Sequence, residues 1–598
     1  MMESEILLRY RSELDRLGRN DAEASRRFNL LAAARGGSFL AAIALLWLGA
    51  IRGSPPLQWA LLPLAAYVGF MIVHEIVVRR RDRIRRAVAW YERGVARLED
   101  RWAGGGNGGE PFRSDDHLFA DDLDLFGPGS LFELLCTAET SAGRETLADW
   151  IKAPALPGEV TRRQQAIAEL RSREGLRLDV AVIGSQVGKG MERDVLARWG
   201  TAQPLDLPAW AAPAALGIAL GNVVALAGAI WYGWSPWVPT GTILAGVVLA
   251  GLLRERVRGI VAAVERPLRD LDHMASLIAR LEQESWTAPL LAEIAGRLRG
   301  SHQPASGALA GLDRRVGLLD SRRNQLFAPF GALLLWTTQL ALSIERWRRR
   351  HGVRVGQWVT ALGELEALAS LATYSAEHPG DAEPELAEGS EAVLEAEALV
   401  HPLLPRGRAV PNDLTLGGGR PRALVVSGSN MSGKSTLLRA VGVNVVLAQA
   451  GAPVSARRFR LSSLRIGASF RPQDSLQQGQ SRFYAEIGRL RRTVDLLQGE
   501  RPVLFLLDEL LSGTNSYDRA LGARAIVEHL VRRGAIGLVT THDLALAEIA
   551  EALAPDMANV HFEDTLEDGT LRFDYRLRPG VVRRSNAVEL MRAVGLPV

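Results

Sequence analysis

Gly428-Ser429-Asn430-Met431-Ser432-Gly433-Lys434-Ser435-Thr436 follows an apolar run, Ala423–Val426, and leads into the helix-like stretch Leu437–Val441. Strand, glycine loop, helix is the context in which the spacing of Gly428, Gly433, Lys434 and Ser435 reads as a phosphate-binding loop. The chemistry accounts for each residue type. Glycines let the loop turn and bring its backbone close to a polyphosphate, and the loop's N–H groups and the positive end of the new helix meet the anion. Lys434 is placed for the β- and γ-phosphates, and the Ser435 hydroxyl suits Mg²⁺. Gly428 to Thr436 is therefore the expected ATP-binding segment.

Two strand ends complete this reading downstream. Val503–Asp508 is an apolar run ending in Asp508-Glu509. A strand-final aspartate suits Mg²⁺, and the glutamate beside it suits activation of the attacking water. Ile536–Thr541 ends at His542-Asp543, and a histidine there is placed for the γ-phosphate; the competing reading is a capping or surface histidine. Glu509, His542 and Lys434 are the expected catalytic set, with Ser435 and Asp508 on the metal.

Composition bounds the rest. A chain of 598 residues, 47% hydrophobic and 23% charged, builds large cores and several domains. A formal charge of +4 is small for this size and by itself points to no nucleic-acid partner. The single cysteine, Cys136, excludes an intrachain disulfide framework and a zinc site built on cysteines.

Upstream, two apolar runs, Gly36–Ile51 and Leu57–Val78, flank a short break and are followed by Arg79, Arg80, Arg81, Arg83, Arg85 and Arg86. A second pair, Trp210–Tyr232 and Trp237–Leu253, ends at Arg254, Arg256 and Arg258. Lengths near the roughly 17–25 residues a bilayer requires, tryptophans at the turns and arginines at the outer ends read as two membrane hairpins. The positive charge then places the ATPase on the cytoplasmic side of the cell (inner) membrane. Leu326–Ile344, interrupted by Pro329 and polar residues, reads instead as a core helix of a soluble domain.

The motifs together resemble the ATPase region of the MutS mismatch-repair family. They are the loop with Asn430-Met431, Asp508-Glu509, Gly513-Thr514-Asn515-Ser516 with Asp518-Arg519, and Thr541-His542. Ser481-Arg482-Phe483 with Glu486 is similar to the family's signature segment, which reaches the nucleotide of the opposite subunit. Gln449 with Gly451 and Val454 resembles the segment after the P-loop helix. His401-Pro402 and Asn412-Asp413 resemble the lead-in to the nucleotide site, and Leu365–Ala372 the lever helix. Leu131, Thr140, Gly143 and Trp150 resemble the opening of the helical core. The resemblance runs from about Leu118 to the end, apart from the second apolar pair, and is most specific in the last 200 or so residues.

The resemblance implies ATP and Mg²⁺ as cofactors, a homodimer with composite ATP sites, and Asn412, Gln449 and Ser481 as further nucleotide contacts. The expected fold class is an α/β ABC-type P-loop ATPase domain at the C-terminus, preceded by an all-α MutS-like core/lever domain carrying two transmembrane hairpins. The expected divisions are a cytoplasmic helix at 1–35, a hairpin at 36–78 and a linker at 79–117, within which Gly104–Gly109 is flexible. A core/lever domain at 118–398 follows, with the second hairpin at 210–253, and the ATPase occupies 399–598.

Departures from the family bear on function. A membrane hairpin stands where a mismatch-reading domain would precede the core, and Ala409 stands where relatives carry an aromatic that stacks on adenine. The expected function is a membrane-anchored MutS-like ATPase that couples ATP binding and hydrolysis to dimer rearrangement. DNA, mismatched or branched, stays open as a partner through arginine stretches such as Arg346–Arg350 and Arg489–Arg492. The alternative is a membrane scaffold or sensor that uses the switch without processing DNA. A transporter ATPase fits less well, because four spans are few and the L-S-G-G-Q element is absent.

Overall fold

The computed structural model describes residues 2–582, except 53–55, 115, 188–192, 204, 206, 266–270, 301–302, 326, 390, 430, 471–481, 512–514, 542–543 and 568–569. Its strands are β1 (Glu385–Leu386), β2 (Val393–Leu399), β3 (Asn412–Gly417), β4 (Ala423–Ser427), β5 (Arg458–Leu461), β6 (Arg465–Ser469), β7 (Val503–Leu507), β8 (Ile536–Thr541), β9 (Met557–Glu567) and β10 (Thr570–Pro579).

The main sheet runs β10-β9-β4-β8-β7-β6, parallel throughout except for the β9–β10 hairpin. Every residue of β4, β7 and β8 is buried, as expected of parallel strands covered on both faces. Alternate residues explain how. Val426, Leu504, Leu506 and Leu538 pack with the helix Lys434–Ala450, while Val425, Phe505, Leu507 and Val539 pack with Ala523, Val527 and Leu530 of the helix Ser516–Arg532. A smaller sheet, β1-β5-β2-β3, lies alongside.

The helical region is organised around Trp336–Glu377, a 42-residue helix whose C-terminal half is buried on every side. Its Glu366 is 1% exposed. The carboxylate accepts from the backbone N–H of Glu139 and Thr140, both at 3.3 Å, and from the Thr140 hydroxyl. Thr140 is also the N-cap of the helix Ser141–Lys152. One buried acid thus fixes the start of a neighbouring helix against the long one. Burial pushes its carboxyl up from the usual 4.5 to about 7, against the opposing pull of the Thr140 and Glu139 hydrogen bonds.

Four helices are, among the described residues, long and apolar enough to cross a bilayer: Glu3–Arg52, Gln58–Leu98, Ala211–Trp231 and Trp237–Val264. The first pair forms one long antiparallel hairpin. Phe28 meets His74 and Phe39 meets Tyr67 along it, with ring centroids 4.7 and 5.5 Å apart.

Four sequence expectations change. Residues 1–35 are not a separate unit, because Met2–Arg52 is one continuous helix. The linker at 79–117 is largely structured. Its first twenty residues continue the helix Leu61–Leu98. The Gly104–Gly109 stretch, expected to be flexible, is gathered by the buried Glu133 carboxylate, which accepts from Gly104 N–H at 3.0 Å and Gly106 N–H at 2.6 Å.

The expected boundary at 398/399 cuts through β2, which pairs with β3 and β5, so the region before it is not all-α. Finally, Leu326–Ile344 is not one core helix. Ala328–Leu333 is a short helix, and Leu335 turns left-handed at φ 49° before the long helix begins. Leu335 and Leu342 pack on Ala211, Ala215, Leu249 and Leu253 of the second apolar pair, and Asn222 Nδ2 donates to the Leu333 carbonyl at 2.8 Å.

The raised Glu366 carboxyl carries a signed pH dependence. Between pH 4.5 and about 7 the unfolded chain loses this proton while the folded chain keeps it, so stability falls as pH rises through that window. Each pKa unit corresponds to about 1.4 kcal/mol. Melting temperatures measured across pH 4.5–8 are expected to show this decline, and Glu366→Gln is expected to flatten it.

Candidate nucleotide site

The C-terminal edges of β4, β8 and β7 lie side by side, and the loop after β4, Glu509 beyond β7 and the segment after β2 line one cleft of about 540 Å³. After β4 the backbone takes the φ values that the glycines permit. Gly428 is at φ 149°, and a Cβ there would lie 2.7 Å from Ser432 Oγ and 3.1 Å from the Phe562 carbonyl. Gly433 is at φ 104°, and its Cβ would lie 3.2 Å from the ring of Tyr575. Only glycine fits both. Met431, at φ 70°, supplies the turn between them and is exposed.

Asp508, directly after β7, joins three elements. Its Oδ2 accepts from the Ser435 hydroxyl at 2.7 Å, and its Oδ1 from the Thr540 hydroxyl on β8 at 2.5 Å. Glu509 follows at φ 50°, a strained conformation for a residue with a side chain. Its N–H donates to Thr540 Oγ1 at 2.9 Å, and the residue lines the cleft. Lys434 Nζ donates to the carbonyls of Gly428 and Ser429, both at 2.8 Å. It stands inside the loop it would otherwise extend from.

These residues fit a Mg²⁺-polyphosphate. The Oγ atoms of Ser429 and Ser432 are buried without a hydrogen-bond partner, in the loop where phosphate oxygens would accept from them. Neighbouring ligands of an octahedral Mg²⁺ at about 2.1 Å lie about 3 Å apart, close to the spacing of Ser435 Oγ and Asp508 Oδ2. Ser435 and Asp508 would hold the ion.

The opposite wall is the segment after β2. His401, Leu404, Pro405, Arg408, Ala409 and Val410 line it. His401 is buried, and desolvation pushes its imidazole down to about 4, so it is neutral at pH 7. Ala409 offers no aromatic face. Tyr575 on β10 does, since it lines the cleft and remains 42% exposed. Sequence reading missed Tyr575, because only the β9–β10 hairpin brings it back over the loop.

The expected contacts divide. Gly433, Lys434, Ser435, Thr436, Met431, Glu509 and Asn412 meet at the cleft. Asn412 is committed to structure there, as its Nδ2 donates to the Tyr575 carbonyl at 3.0 Å and its Oδ1 accepts from Leu577 N–H at 2.7 Å. Gln449 is not at the site. It lies fifteen residues beyond Lys434 on the same helix, about 22 Å away at the helical rise. It is buried, with Oε1 accepting from Leu464 N–H at 3.0 Å. Asn430, Ser481 and His542 fall outside the described residues.

Comparison with known proteins bears on this part of the chain. Residues 424–598 match the family described as MutS domain V. A DNA mismatch repair protein MutS 2 of Halobacterium salinarum is 38% identical over 245 residues, which is 40% of this chain and 27% of that protein. An endonuclease MutS2 of Thermomicrobium roseum is 39% identical over 199 residues, 33% of this chain and 24% of that protein. DNA mismatch repair protein MSH3 of Phaeosphaeria nodorum is 33% identical over 251 residues, 40% of this chain and 22% of that protein. The chain thus spans about a quarter of the length of the curated relatives it matches.

Two substitutions separate binding from scaffolding. Tyr575→Ala is expected to weaken ATP binding by about tenfold, the effect of losing a stacked ring worth roughly 1–1.5 kcal/mol. Gln449→Ala is expected to lower the melting temperature while leaving ATP affinity unchanged, because it strands a buried N–H. Isothermal titration and thermal melts of both variants check the pair.

Proposed function

We propose that this chain is a membrane-anchored, MutS-like ATPase in which ATP binding and hydrolysis drive a conformational change, with each nucleotide pocket completed by a second copy. The observation that carries it is the Ser435–Asp508 pair set beside the strained Glu509 at the mouth of the cleft. Mg²⁺ would supply charge neutralisation across the phosphates. Ser435 and Asp508 would hold it, Thr540 keeps Asp508 oriented, and Glu509 would accept a proton from the attacking water. Lys434, released from the loop carbonyls, stabilises the transferred phosphoryl group. His542 and the partner-facing Ser481 segment are assigned on the family resemblance.

The membrane anchor is supported by the four apolar helices and by what they leave uncovered. Trp47, Trp59, Trp231 and Trp237, near the two hairpin turns, are all more than half exposed. So are Leu61, Leu62, Ile72 and Ile76 along the second helix of the first pair. Apolar surface on this scale marks a partner or a lipid phase.

DNA is the ligand that the names of the relatives suggest. A specific observation favours the alternative, a membrane sensor that runs the same switch without DNA. Of the arginines weighed as phosphate contacts, Arg348 and Arg489 are engaged away from solvent, Arg491 and Arg492 have partners at the surface, and Arg346, Arg349 and Arg350 are exposed. Arg489 pairs with Asp122 at 2.9 Å, Arg491 with Asp495 at 3.0 Å, and Arg492 donates to the Asp116 carbonyl at 2.9 Å. Arg348 is buried against Glu345 and donates to the carbonyls of Trp199, Ala202 and Gln203.

Glu509→Gln is expected to keep ATP affinity while slowing hydrolysis by about 10²-fold or more, the size of a lost general base. A wild-type rate in this variant removes Glu509 from its assigned role. Salt-dependent stimulation of the wild-type rate by mismatched or branched duplex supports the DNA reading, and an unchanged rate supports the sensor. The full chain is expected to float with vesicles and to resist alkaline extraction; recovery in the soluble fraction sinks the anchor.

A further inference from the structure

We infer that Arg406 is a positioning residue for the nucleotide cleft, and that through it nucleotide affinity answers to the first apolar hairpin. This rests on the nucleotide reading above and concerns the regulation of that site.

Leu404, Pro405, Arg408, Ala409 and Val410 line the cleft, while Arg406, in their midst, turns away from it. Its guanidinium reaches two other parts of the fold. One nitrogen pairs with Asp381 Oδ1 at 2.8 Å, the other with Glu3 at the start of the first hairpin helix at 3.0 Å. The Asp381 side chain is 3% exposed. Its second oxygen accepts from the Tyr374 hydroxyl at 3.0 Å and the Ser455 hydroxyl at 3.2 Å. Tyr374 sits in the last turn of the long helix, so the cleft wall is fastened to the end of that helix.

The hairpin is fastened to the same end. Glu377, the helix's last residue, receives Arg97 from the second hairpin helix through Nε at 2.6 Å and Nη2 at 2.7 Å. Those side chains are 7% and 0% exposed. Tyr10 of the first hairpin helix is fully buried beside them, so close to Gly94 that a Cβ there would lie 2.6 Å from its ring.

The two links differ in strength. The half-exposed Glu3 pair is screened by water and holds little. The buried bidentate pair cannot be parted without uncovering an uncompensated charge. Movement of the hairpin base is therefore passed to the end of the long helix rather than absorbed at Arg97. Asp381 and Arg406 carry it into the 401–410 wall. Coupling of this kind is reciprocal, so nucleotide must equally act on the hairpin base.

Hydrogen exchange of the full chain in detergent, with and without a non-hydrolysable ATP analogue, tests this alongside analogue affinity and steady-state kinetics. In wild-type protein the analogue is expected to change protection in residues 3–17 and 87–98. Arg406→Gln is expected to abolish that change and raise KM for ATP about fivefold, with kcat unchanged. Arg406→Lys restores part of both, and Asp381→Asn reproduces the loss. Arg457→Gln, at an exposed arginine just before β5 that pairs with Glu397 on β2, leaves both unchanged. If the analogue binds but the hairpin base does not respond, or if Arg406→Gln lowers kcat and leaves KM alone, the inference fails and the ATPase reading stands. If wild-type protein binds no nucleotide, both fail.

Discussion

One carboxylate sets the geometry of the candidate nucleotide site. Asp508 leaves β7 with an oxygen committed to each side, one to the hydroxyl that opens the P-loop helix and one to Thr540 on β8. The strand order makes this convergence available: β8 lies between β4 and β7, so the loop after β4 and the turn after β7 face each other across it. Ligands of open parallel sheets sit beyond the carboxyl ends of their strands for this reason. The strained backbone of Glu509 follows from the same constraint, since its N–H is held by the Thr540 hydroxyl that Asp508 orients.

Buried acids do the corresponding work in the helical region. Glu133 collects the N–H groups of Gly104, Gly106 and Gly129. Glu366 fixes the start of a helix, and Glu377 takes a guanidinium from the hairpin. A charge or proton donor removed from water is costly unless its hydrogen bonds are supplied, so each of these residues dictates the placement of the segments around it. Apolar packing alone would let the helices slide; these contacts set their register.

The sequence disclosed what was local to it. The P-loop, the strand-final Asp508-Glu509 and the apolar helices are runs of adjacent residues whose spacing carries their chemistry, and the structure places Ser435, Lys434 and Glu509 together at the cleft. What it hid depends on contacts between distant residues. Gln449 shares a helix with Lys434, yet that helix carries it about 22 Å from the loop. Tyr575 reaches the cleft only because β10 folds back on β9. Arg489 reads as a free cation until Asp122, 367 residues away in sequence, meets it. The Gly104–Gly109 stretch reads as slack until a carboxylate from beyond it takes up the amides of Gly104 and Gly106.

The unbroken helix from Met2 to Arg52 has a mechanical side. At the helical rise its 51 residues make a rod about 77 Å long. Anchored near Tyr10, such a rod magnifies angle into distance: a tilt of about 5° at the base sweeps the far tip sideways by roughly 5.5 Å. A small change of angle at the pivot becomes, at the other extremity, a displacement about as wide as a helical turn is tall.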